Sequence, residues 1–304
     1  MNDLPRMVDQ YLQIRRAQGS KAVDVGRILA MFCEYVDNEE AVDLTVQVAV
    51  GFATAKAGLS DRSTALRLSA VRGFCRWAQT LDPGIEVPPG GLLKARQTRN
   101  VPYIYTREEI SELIVAAAGL RPGFRATTLA ALIGLMAATG IRTGEACALD
   151  LANINPASGT LRITGKYGKI RMLPLDSTVM AALTTYVELR TGLPQAANCP
   201  ALLVSSLGNR LRSSILDASF RQVLEHTSLG QRSRRCRPRL TDLRHTFAVN
   251  TMLDAYETGQ DPTKVLPVLS TWMGHAQIAE TYWYLGCTPA LMQAAAKRLE
   301  REES

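Results

Sequence analysis

The sequence is poor in the residues on which metal sites and disulfide bonds depend. Histidine occurs only three times in 304 residues, and no cluster of Asp, Glu and His has the spacing of metal ligands. The six cysteines are scattered and form no CxxC pair, which favours reduced cysteines that pack in a core. These shortages argue against a metal-dependent nuclease or transposase, and we expect neither a metal ion nor another cofactor.

Long hydrophobic runs are also missing. No stretch approaches the roughly 18 apolar residues of a membrane span. The first residues interrupt their apolar positions with charge and lack the continuous core of a signal peptide. We therefore expect a soluble, cytoplasmic protein, and 46% hydrophobic residues can build one large domain or two modest ones.

Acidic residues are outnumbered by basic ones. The 35 Lys and Arg against 28 Asp and Glu give a net charge of +7, which favours a polyanionic partner. Residues 210–244 contain nine arginines and no lysine. Arginine suits bidentate binding of phosphate oxygens, although any single arginine of this run could equally belong to a solvated basic loop.

The first eighty residues have helical spacing. Apolar stripes predict two amphipathic helices over residues 4–12 and 25–36, followed by a third helix that Asp43 caps. Ser60 or Asp61 is expected to cap a fourth helix. We predict a helical domain over residues 1–81.

The fourth helix carries a row of arginines opposite its apolar face. Arg67, Arg72 and Arg76 belong to this basic face. The face could lie in a DNA groove, and it could also be an ordinary solvated surface.

Proline and glycine then separate two domains. Their density over residues 82–103 predicts a linker, and Thr106 with Glu109 forms a capping box that begins a helix ending near Ala118. A long apolar helix follows and leads into a glycine-bracketed turn that carries Arg142. The second domain is predicted to span residues 104–304.

A hairpin and further helices complete this second domain. Residues 160–164 and 170–174 read as strands, with Lys166 and Lys169 at the tip between them. After about residue 176 we expect helices everywhere except residues 201–205. The predicted fold is mainly α with a small β-sheet.

Four segments resemble, in order, the signature segments of the tyrosine recombinase, or phage integrase, family. They are TGIRTGEA, TGKYGKIRMLPL, LTDLRHTFA and WMGHAQIAETYWYL, within a match that spans about residues 106–285. The resemblance implies a DNA breaking-rejoining fold, with a core-binding domain over residues 1–81. The ending TYWYLGCTPALM looks like that of transposon-borne members.

The resemblance also implies the catalytic residues. They would be two arginines, a hairpin lysine, a late histidine and a tyrosine nucleophile: Arg142, Arg244, Lys166, His275 and Tyr284. The arginines would bind the non-bridging phosphate oxygens, and the lysine would protonate the leaving 5′-oxygen, with Lys169 as the fallback. His275 or a bound water would take the proton of the phenol, whose pKa is about 10.

Two positions leave alternatives open. Tyr282 competes with Tyr284 as nucleophile, and the family's spacing of nine residues from the late histidine selects Tyr284. Thr241 stands where the family usually has a histidine. A threonine can hydrogen-bond a phosphate but cannot accept a proton near neutral pH.

The charged neighbours of these residues have simpler interpretations as well. Glu145 is expected to orient Arg142 or its turn, and Arg142 could do no more than pair with it. Arg244 could pair with Asp242 or a backbone carbonyl. His245 is expected to be a buried hydrogen-bonding residue in the pocket.

The implied activity is site-specific recombination of double-stranded DNA. The resemblance implies a 3′-phosphotyrosyl intermediate without metal or ATP, a nucleoid-associated homo-tetramer or an assembly with sister recombinases, and no membrane. The predicted tail helix after Pro289 could dock on a neighbouring subunit or on its own core. The alternatives are a DNA-binding accessory protein that has lost cleavage and a type IB topoisomerase.

Overall fold

Helices form most of the chain, and the sheet is small. The computed structural model describes residues 3–20, 22–93, 101–121, 123–165, 168–233, 235–275, 277–285 and 291–296, without the side chains of residues 283–285. The chain divides into two units, Met1–Arg99 and Asn100–Ser304. None of the helices in these ranges is long and apolar enough to cross a membrane.

The described residues of the first unit form an all-helical core. Its helices are α1 (Leu4–Ala17), α2 (Val23–Asn38), α3 (Val46–Thr54) and α4 (Asp61–Ala78). Their apolar stripes bury Phe32, Phe52 and Phe74 in one core, as the periodicity predicts. The Ser60 side chain caps α4 as expected, but Thr45 rather than Asp43 caps α3, because its hydroxyl accepts from the Val48 N–H at 3.3 Å.

Both ends of the predicted linker pack against the units that they adjoin. Ile85 is buried in the core of the first unit, and the Glu86 N–H donates to the Leu44 carbonyl at 2.9 Å. Tyr103 is buried in the core of the second unit. Proline and glycine interrupt helices in this segment without preventing its apolar side chains from packing.

Within its described residues, the second unit contains the following α-helices, besides the helical residues 291–296 of the tail. They are α5 (Arg107–Ala118), α6 (Gly123–Thr139), α7 (Thr143–Ala148), α8 (Ser177–Thr191), α9 (Leu216–Leu224), α10 (Asp242–Glu257), α11 (Pro262–Met273) and α12 (Ala279–Leu285). The predicted capping box is present, since Thr106 and Glu109 cap each other's backbone at the start of α5.

A three-stranded antiparallel sheet carries the hairpin. Its strands are β1 (Ile154–Asn155), β2 (Thr160–Thr164) and β3 (Ile170–Pro174), in the order β1-β2-β3. Leu161 opposes Leu173 and both are buried, while Thr164 opposes Ile170 at the hairpin end. The hairpin is confirmed, and the two-residue strand β1 is an addition that the sequence pattern did not predict.

The prediction of helices after about residue 176 is wrong for residues 206–212, where Arg210 forms a β-bridge with Val204, and for the described part of residues 225–241. The described residues of the latter segment, 225–233 and 235–241, run between α9 and α10 as turns and irregular backbone, and Ser233 forms a β-bridge with Cys236. Side chains anchor it: Arg232 donates to Glu109 at 2.8 Å and lies over the Tyr103 ring, 3.9 Å from its centroid. These contacts are distant in sequence, so local spacing could not show them.

The tail contributes to the core of its own chain. Residues 291–296 are helical, and Leu291 is buried beside Val249 on α10 and Leu269 on α11. Within the single chain, Leu291 thus packs on its own unit, and docking of the tail on a neighbouring subunit stays a prediction.

Candidate active site

A tight turn places Arg142 at the start of α7. Gly140, just after α6, has a φ of +62°, and a Cβ there would come within 2.4 Å of the Phe247 ring. Only glycine fits this left-handed position without strain. The chain then buries Ile141 and makes Arg142 the N-cap residue of α7.

Glu145 organises this corner of the unit. Its carboxylate accepts from the Arg142 backbone N–H at 2.9 Å and from the Arg142 guanidinium at 3.0 Å. Arg171 adds two further bonds to the two carboxylate oxygens, at 3.1 and 2.8 Å. Burial raises the pKa of Glu145, but the bonds from Arg171 and the Arg142 backbone outweigh burial and leave the pKa below its usual value.

Arg171 is the site residue that sequence reasoning missed most clearly. It lies on β3 two positions before the buried Leu173, so strand alternation places it on the inward face, whereas Ile170 and Met172 are exposed. Its side chain is only 12% exposed. An arginine on the apolar face of a strand was the available signal, because such a charge needs a buried partner.

Arg244 is held more deeply than Arg142. It lies on α10, is 5% exposed, and donates to the carbonyls of Gly140 at 2.6 Å and Met273 at 2.7 Å. Asp242 and a backbone carbonyl were the two expected alternatives as partners of Arg244, and the structure shows backbone carbonyls. Asp242 instead accepts two bonds from Arg239, at 2.9 and 2.7 Å.

Three guanidinium groups converge on the C-terminal carbonyls of α11. Arg171 donates to Trp272 at 2.7 Å, and Arg244 and Arg142 donate to Met273 at 2.7 and 3.4 Å. Arg142 also donates to the Gly274 carbonyl at 3.3 Å. The last carbonyls of a helix lack partners within the helix and carry its negative end, so they suit cationic donors.

His275 follows this helix end and lies against Arg244. Its Nε2 is 2.9 Å from Arg244 Nη2, and its Nδ1 is 2.7 Å from the Thr281 hydroxyl. A guanidinium can only donate, so Nε2 accepts and Nδ1–H donates to Thr281. Burial, with Arg244, Arg142 and Arg171 nearby, lowers the pKa of His275 to about 4, which keeps the ring neutral.

Helix α12 carries both candidate nucleophiles. Thr281 is fully buried and hydrogen-bonds His275, whereas Tyr282 is 59% exposed. Tyr284 lies in the last turn of α12, and its side chain lies outside the described part of the chain. The sequence analysis did not predict a role for Thr281, because a threonine six residues after the histidine belongs to no recognised motif.

The remaining pocket candidates are placed less centrally. Lys166 lies outside the described residues. Lys169 is exposed where the loop joins β3, and its carbonyl accepts from the Gly165 N–H at 2.8 Å. Thr241 is exposed at the start of α10, which its side chain does not cap. His245 is largely buried, 3.8 Å from Asp242, and burial followed by Arg239 and Arg244 lowers its pKa to about 4.

The arginines predicted to bind DNA on α4 differ in their surroundings. The Arg67 guanidinium lies 4.0 Å from the centroid of the Phe52 ring. Arg72 donates to the carbonyls of Pro88 and Pro89 at 2.8 and 3.0 Å. Arg76 is exposed. DNA contact stays a prediction for all three, and Arg76 is the most accessible.

Several arginines of the run over residues 210–244 serve the fold. Arg210 pairs with Asp150 and donates to the carbonyls of Cys147 and Leu149, both at 3.1 Å. Arg232, Arg239 and Arg244 are likewise engaged with groups of the same unit. Arginine density in the sequence therefore indicates ion pairs and carbonyl contacts within the unit as much as phosphate binding.

Comparison with known proteins assigns this arrangement to a family. The sequence model of the phage integrase family matches residues 104–289. The chain is 36% identical, over 99% of its length and 98% of the relative's, to y4rB of Sinorhizobium fredii (strain NBRC 101917 / NGR234), which is named an integrase/recombinase.

Two further comparisons agree with this match. The tyrosine recombinase XerD of Caulobacter vibrioides (strain ATCC 19089 / CIP 103742 / CB 15) is 32% identical over 75% of this chain and 71% of its own. The Tn1549 transposon integrase in complex with transposon right end DNA has a similar fold, with a TM-score of 0.65 at 16% identity over 98% of this chain and 99% of that one. The chain belongs to the phage integrase family of tyrosine recombinases.

Proposed function

We propose that this protein is a site-specific DNA recombinase that cleaves and rejoins strands through a 3′-phosphotyrosyl intermediate on Tyr284. The observation that carries the proposal is the convergence of Arg142, Arg244 and His275 at the end of α11, a few residues before α12. Phosphoryl transfer is catalysed mainly by positioning and by stabilising negative charge, which clustered guanidinium groups supply.

The two arginines are suited to different tasks in this reaction. Arg142 is 35% exposed, and its carbonyl bonds of 3.3 and 3.4 Å are long, so a phosphate could replace them at little cost. Arg244 is buried with bonds of 2.6 and 2.7 Å, so it gives a fixed positive charge behind the phosphate. Together they would stabilise the pentavalent transition state.

Cleavage would form one bond and break one. The Tyr284 oxygen attacks the phosphorus, the bond from phosphorus to the 5′-oxygen breaks, and the products are a 3′-phosphotyrosyl link and a 5′-hydroxyl. Lys166 would give a proton to the departing oxygen. The phosphotyrosyl ester retains the energy of the cleaved phosphodiester bond. Rejoining by the reverse reaction therefore needs no ATP.

The route of the tyrosine proton is constrained by His275. Its Nε2 already accepts from Arg244, and its low pKa of about 4 makes it a weak base. We therefore assign His275 first to orienting Arg244, and the phenol proton to a water or to His275 after a rearrangement on DNA. Thr241 cannot take this proton near neutral pH.

Double-stranded DNA with specific sites is the proposed partner. The net charge of +7 and the exposed arginines of α4 favour a polyanion, and the similar Tn1549 integrase is bound to transposon DNA. Exchange of strands between two sites needs several active sites, so a homo-tetramer or an assembly with sister recombinases is proposed as well.

A nicked suicide substrate tests the proposal. After cleavage the short 5′-hydroxyl strand diffuses away, and rejoining is blocked. We expect the wild-type protein to form a denaturant-resistant DNA adduct in EDTA without ATP. Tyr284→Phe should abolish the adduct without weakening DNA binding, and Tyr282→Phe, on the same helix, should retain it.

The same assay separates the alternatives. An accessory protein would bind the DNA to saturation and form no adduct. A type IB topoisomerase would form the adduct and relax supercoiled plasmid without any recombination site. Either outcome would replace recombination as the function.

A further inference from the structure

Arg171 ties the hairpin to two other parts of the pocket. Its Nε donates to the Trp272 carbonyl at the end of α11 at 2.7 Å, and both of its Nη atoms donate to Glu145 near the start of α7, at 3.1 and 2.8 Å. All three bonds leave from one side chain on β3. A planar guanidinium makes such a set of directed bonds, and a lysine ammonium on the same stem cannot reproduce it.

Arg171 makes these bonds near the end of the hairpin at which Lys166 lies in the sequence. Arg171 follows Ile170, the first residue of β3, which pairs with Thr164 at the end of β2. Gly165, the residue before Lys166, packs on the same ion pair, because a Cβ built on it would be 3.6 Å from both Arg171 Nη1 and Glu145 Oε1. The backbone of Gly165, next to Lys166, therefore packs against the ion pair of Arg171 and Glu145.

Arg142 and Arg244 have anchors that do not involve Arg171. Arg142 is bonded to Glu145 through its own backbone N–H and guanidinium, and to the carbonyls of Met273 and Gly274. Arg244 is held by the carbonyls of Gly140 and Met273. Loss of the Arg171 bonds would thus release the hairpin while the phosphate-binding arginines kept their partners.

We propose that Arg171 is a positioning residue that holds the lysine hairpin against Glu145 and the end of α11, so that Lys166 can protonate the leaving 5′-oxygen. The proposal rests on the proposed function, because it gives Arg171 a part in delivering the leaving-group proton. Arg171 itself has no contact with the reacting atoms in this role. Its loss should slow the step that needs the acid and leave DNA affinity unchanged.

A substrate with a different leaving atom isolates that step. When sulfur replaces the 5′-oxygen at the cleaved bond, the departing group is a thiol, whose pKa of about 8.5 lets it leave as the thiolate without an acid. An enzyme with a misplaced Lys166 should therefore be slow on oxygen DNA and nearly normal on sulfur DNA. Partial unfolding would lower the rates on both substrates equally.

The experiment compares Arg171→Lys with Arg162→Lys by single-turnover adduct formation on both substrates. Arg162 is an exposed arginine on β2, opposite Met172, and serves as the matched control. Misplacement of a catalytic group by about 1 Å can cost about 100-fold. We expect Arg171→Lys to be slower by about 10- to 100-fold on oxygen DNA and by less than about threefold on sulfur DNA, with Arg162→Lys like the wild type.

Amide hydrogen exchange gives a second readout that needs no cleavage. The Gly165 N–H donates to the Lys169 carbonyl at 2.8 Å, and this bond should open more often in Arg171→Lys than in Arg162→Lys. Unchanged exchange at Gly165 would overturn the positioning role even if the rates fell.

The remaining outcomes are distinct. Equal slowing on oxygen and sulfur DNA, or no slowing at all, would overturn the inference and leave the proposed function intact. If the wild-type protein formed no adduct on either substrate, the proposed function would fail, and the inference with it.

Discussion

At the residue scale, the site depends on how each charge is held. Arg244 is buried and bonded to two carbonyls, whereas Arg142 is one third exposed and bonded mainly to Glu145. Glu145 therefore neutralises the charge of Arg142 while leaving part of its guanidinium accessible to solvent. A phosphate that enters this corner would meet Arg142 first and Arg244 behind it.

Replacement of Arg142 should damage the chemistry more than binding. We expect Arg142→Ala to slow adduct formation by about 100- to 1,000-fold, the usual effect of removing one donor to a developing oxyanion. Single-turnover kinetics with saturating protein measure this rate, and a mobility shift measures affinity. Arg107→Ala, at a side chain that is 85% exposed on α5, is the control and should cleave normally.

The neutral state of His275 predicts how stability changes with pH. Its pKa falls from 6.5 to about 4 on folding, so between these values the unfolded chain binds more protons than the folded one. The contribution is fully present above pH 6.5 and is lost as the pH falls towards 4. Urea unfolding should therefore show that His275→Gln loses less stability than the wild type from pH 7 to pH 4.5.

A control and a second histidine complete this test. His245, whose pKa is also about 4, should add to the acid sensitivity of both proteins equally. His226→Gln changes an exposed histidine and should follow the wild type. An equal loss of stability in His275→Gln and in the wild type would mean that His275 is not held neutral by its surroundings.

At the element scale, the end of α11 is the point at which the pocket is assembled. Gly274 ends this helix with a φ of +65°, and a Cβ on it would come within 2.9 Å of Arg171 Nη1. Two requirements therefore meet at one glycine: a left-handed backbone and close approach of a guanidinium.

Gly274→Ala should be more destabilising than left-handed strain alone explains. Gly259→Ala is the matched control, because Gly259 has a φ of +72° and no atom within 4 Å of the added Cβ. We expect Gly259→Ala to cost about 1–2 kcal/mol of unfolding free energy. Gly274→Ala should cost more and should also slow adduct formation, whereas equal costs would show that Arg171 moves aside freely.

Helix starts and strands could be predicted where a short stretch of sequence contains the determining residues. The capping box of Thr106 and Glu109 and the strands around the hairpin follow from caps, turn glycines and alternation, and the structure confirms them. The β1 strand is too short to have a pattern. The turns over residues 225–241 are fixed by Arg232 and Arg239, whose partners lie elsewhere in the sequence or in another element.

The site was predictable in part for the same reason. Arg142, Arg244 and His275 stand in recognisable motifs, and the structure brings them together. Arg171 and Thr281 were missed because each acts through a contact, with Glu145 and His275 respectively, that is visible only in three dimensions.

At the scale of the whole molecule, the surplus positive charge predicts salt-dependent binding. Each phosphate contact contributes about 0.9 to the slope of log affinity against log salt. Arg76→Ala should weaken binding and lower this slope by about one, if α4 tracks the DNA backbone. Arg16→Ala, at an exposed arginine on α1, should leave the slope unchanged.

Arg67 and Arg72 are less suitable for that test. Their replacement would also remove the contact with Phe52 or the bonds to Pro88 and Pro89. A loss of DNA affinity could then reflect altered packing of the first unit instead of a lost phosphate contact. An unchanged slope in Arg76→Ala would place the DNA contact on another face.

The central claim is that Tyr284 becomes covalently joined to DNA. Protein trapped on a suicide substrate in EDTA can be digested with protease and nuclease, and the nucleotide-bearing peptide can be identified by mass spectrometry. We predict a 3′-phosphate linkage on Tyr284 and an unmodified Tyr282. A nucleotide on Tyr282 or on another side chain, or a trapped 5′-phosphate, would contradict the account.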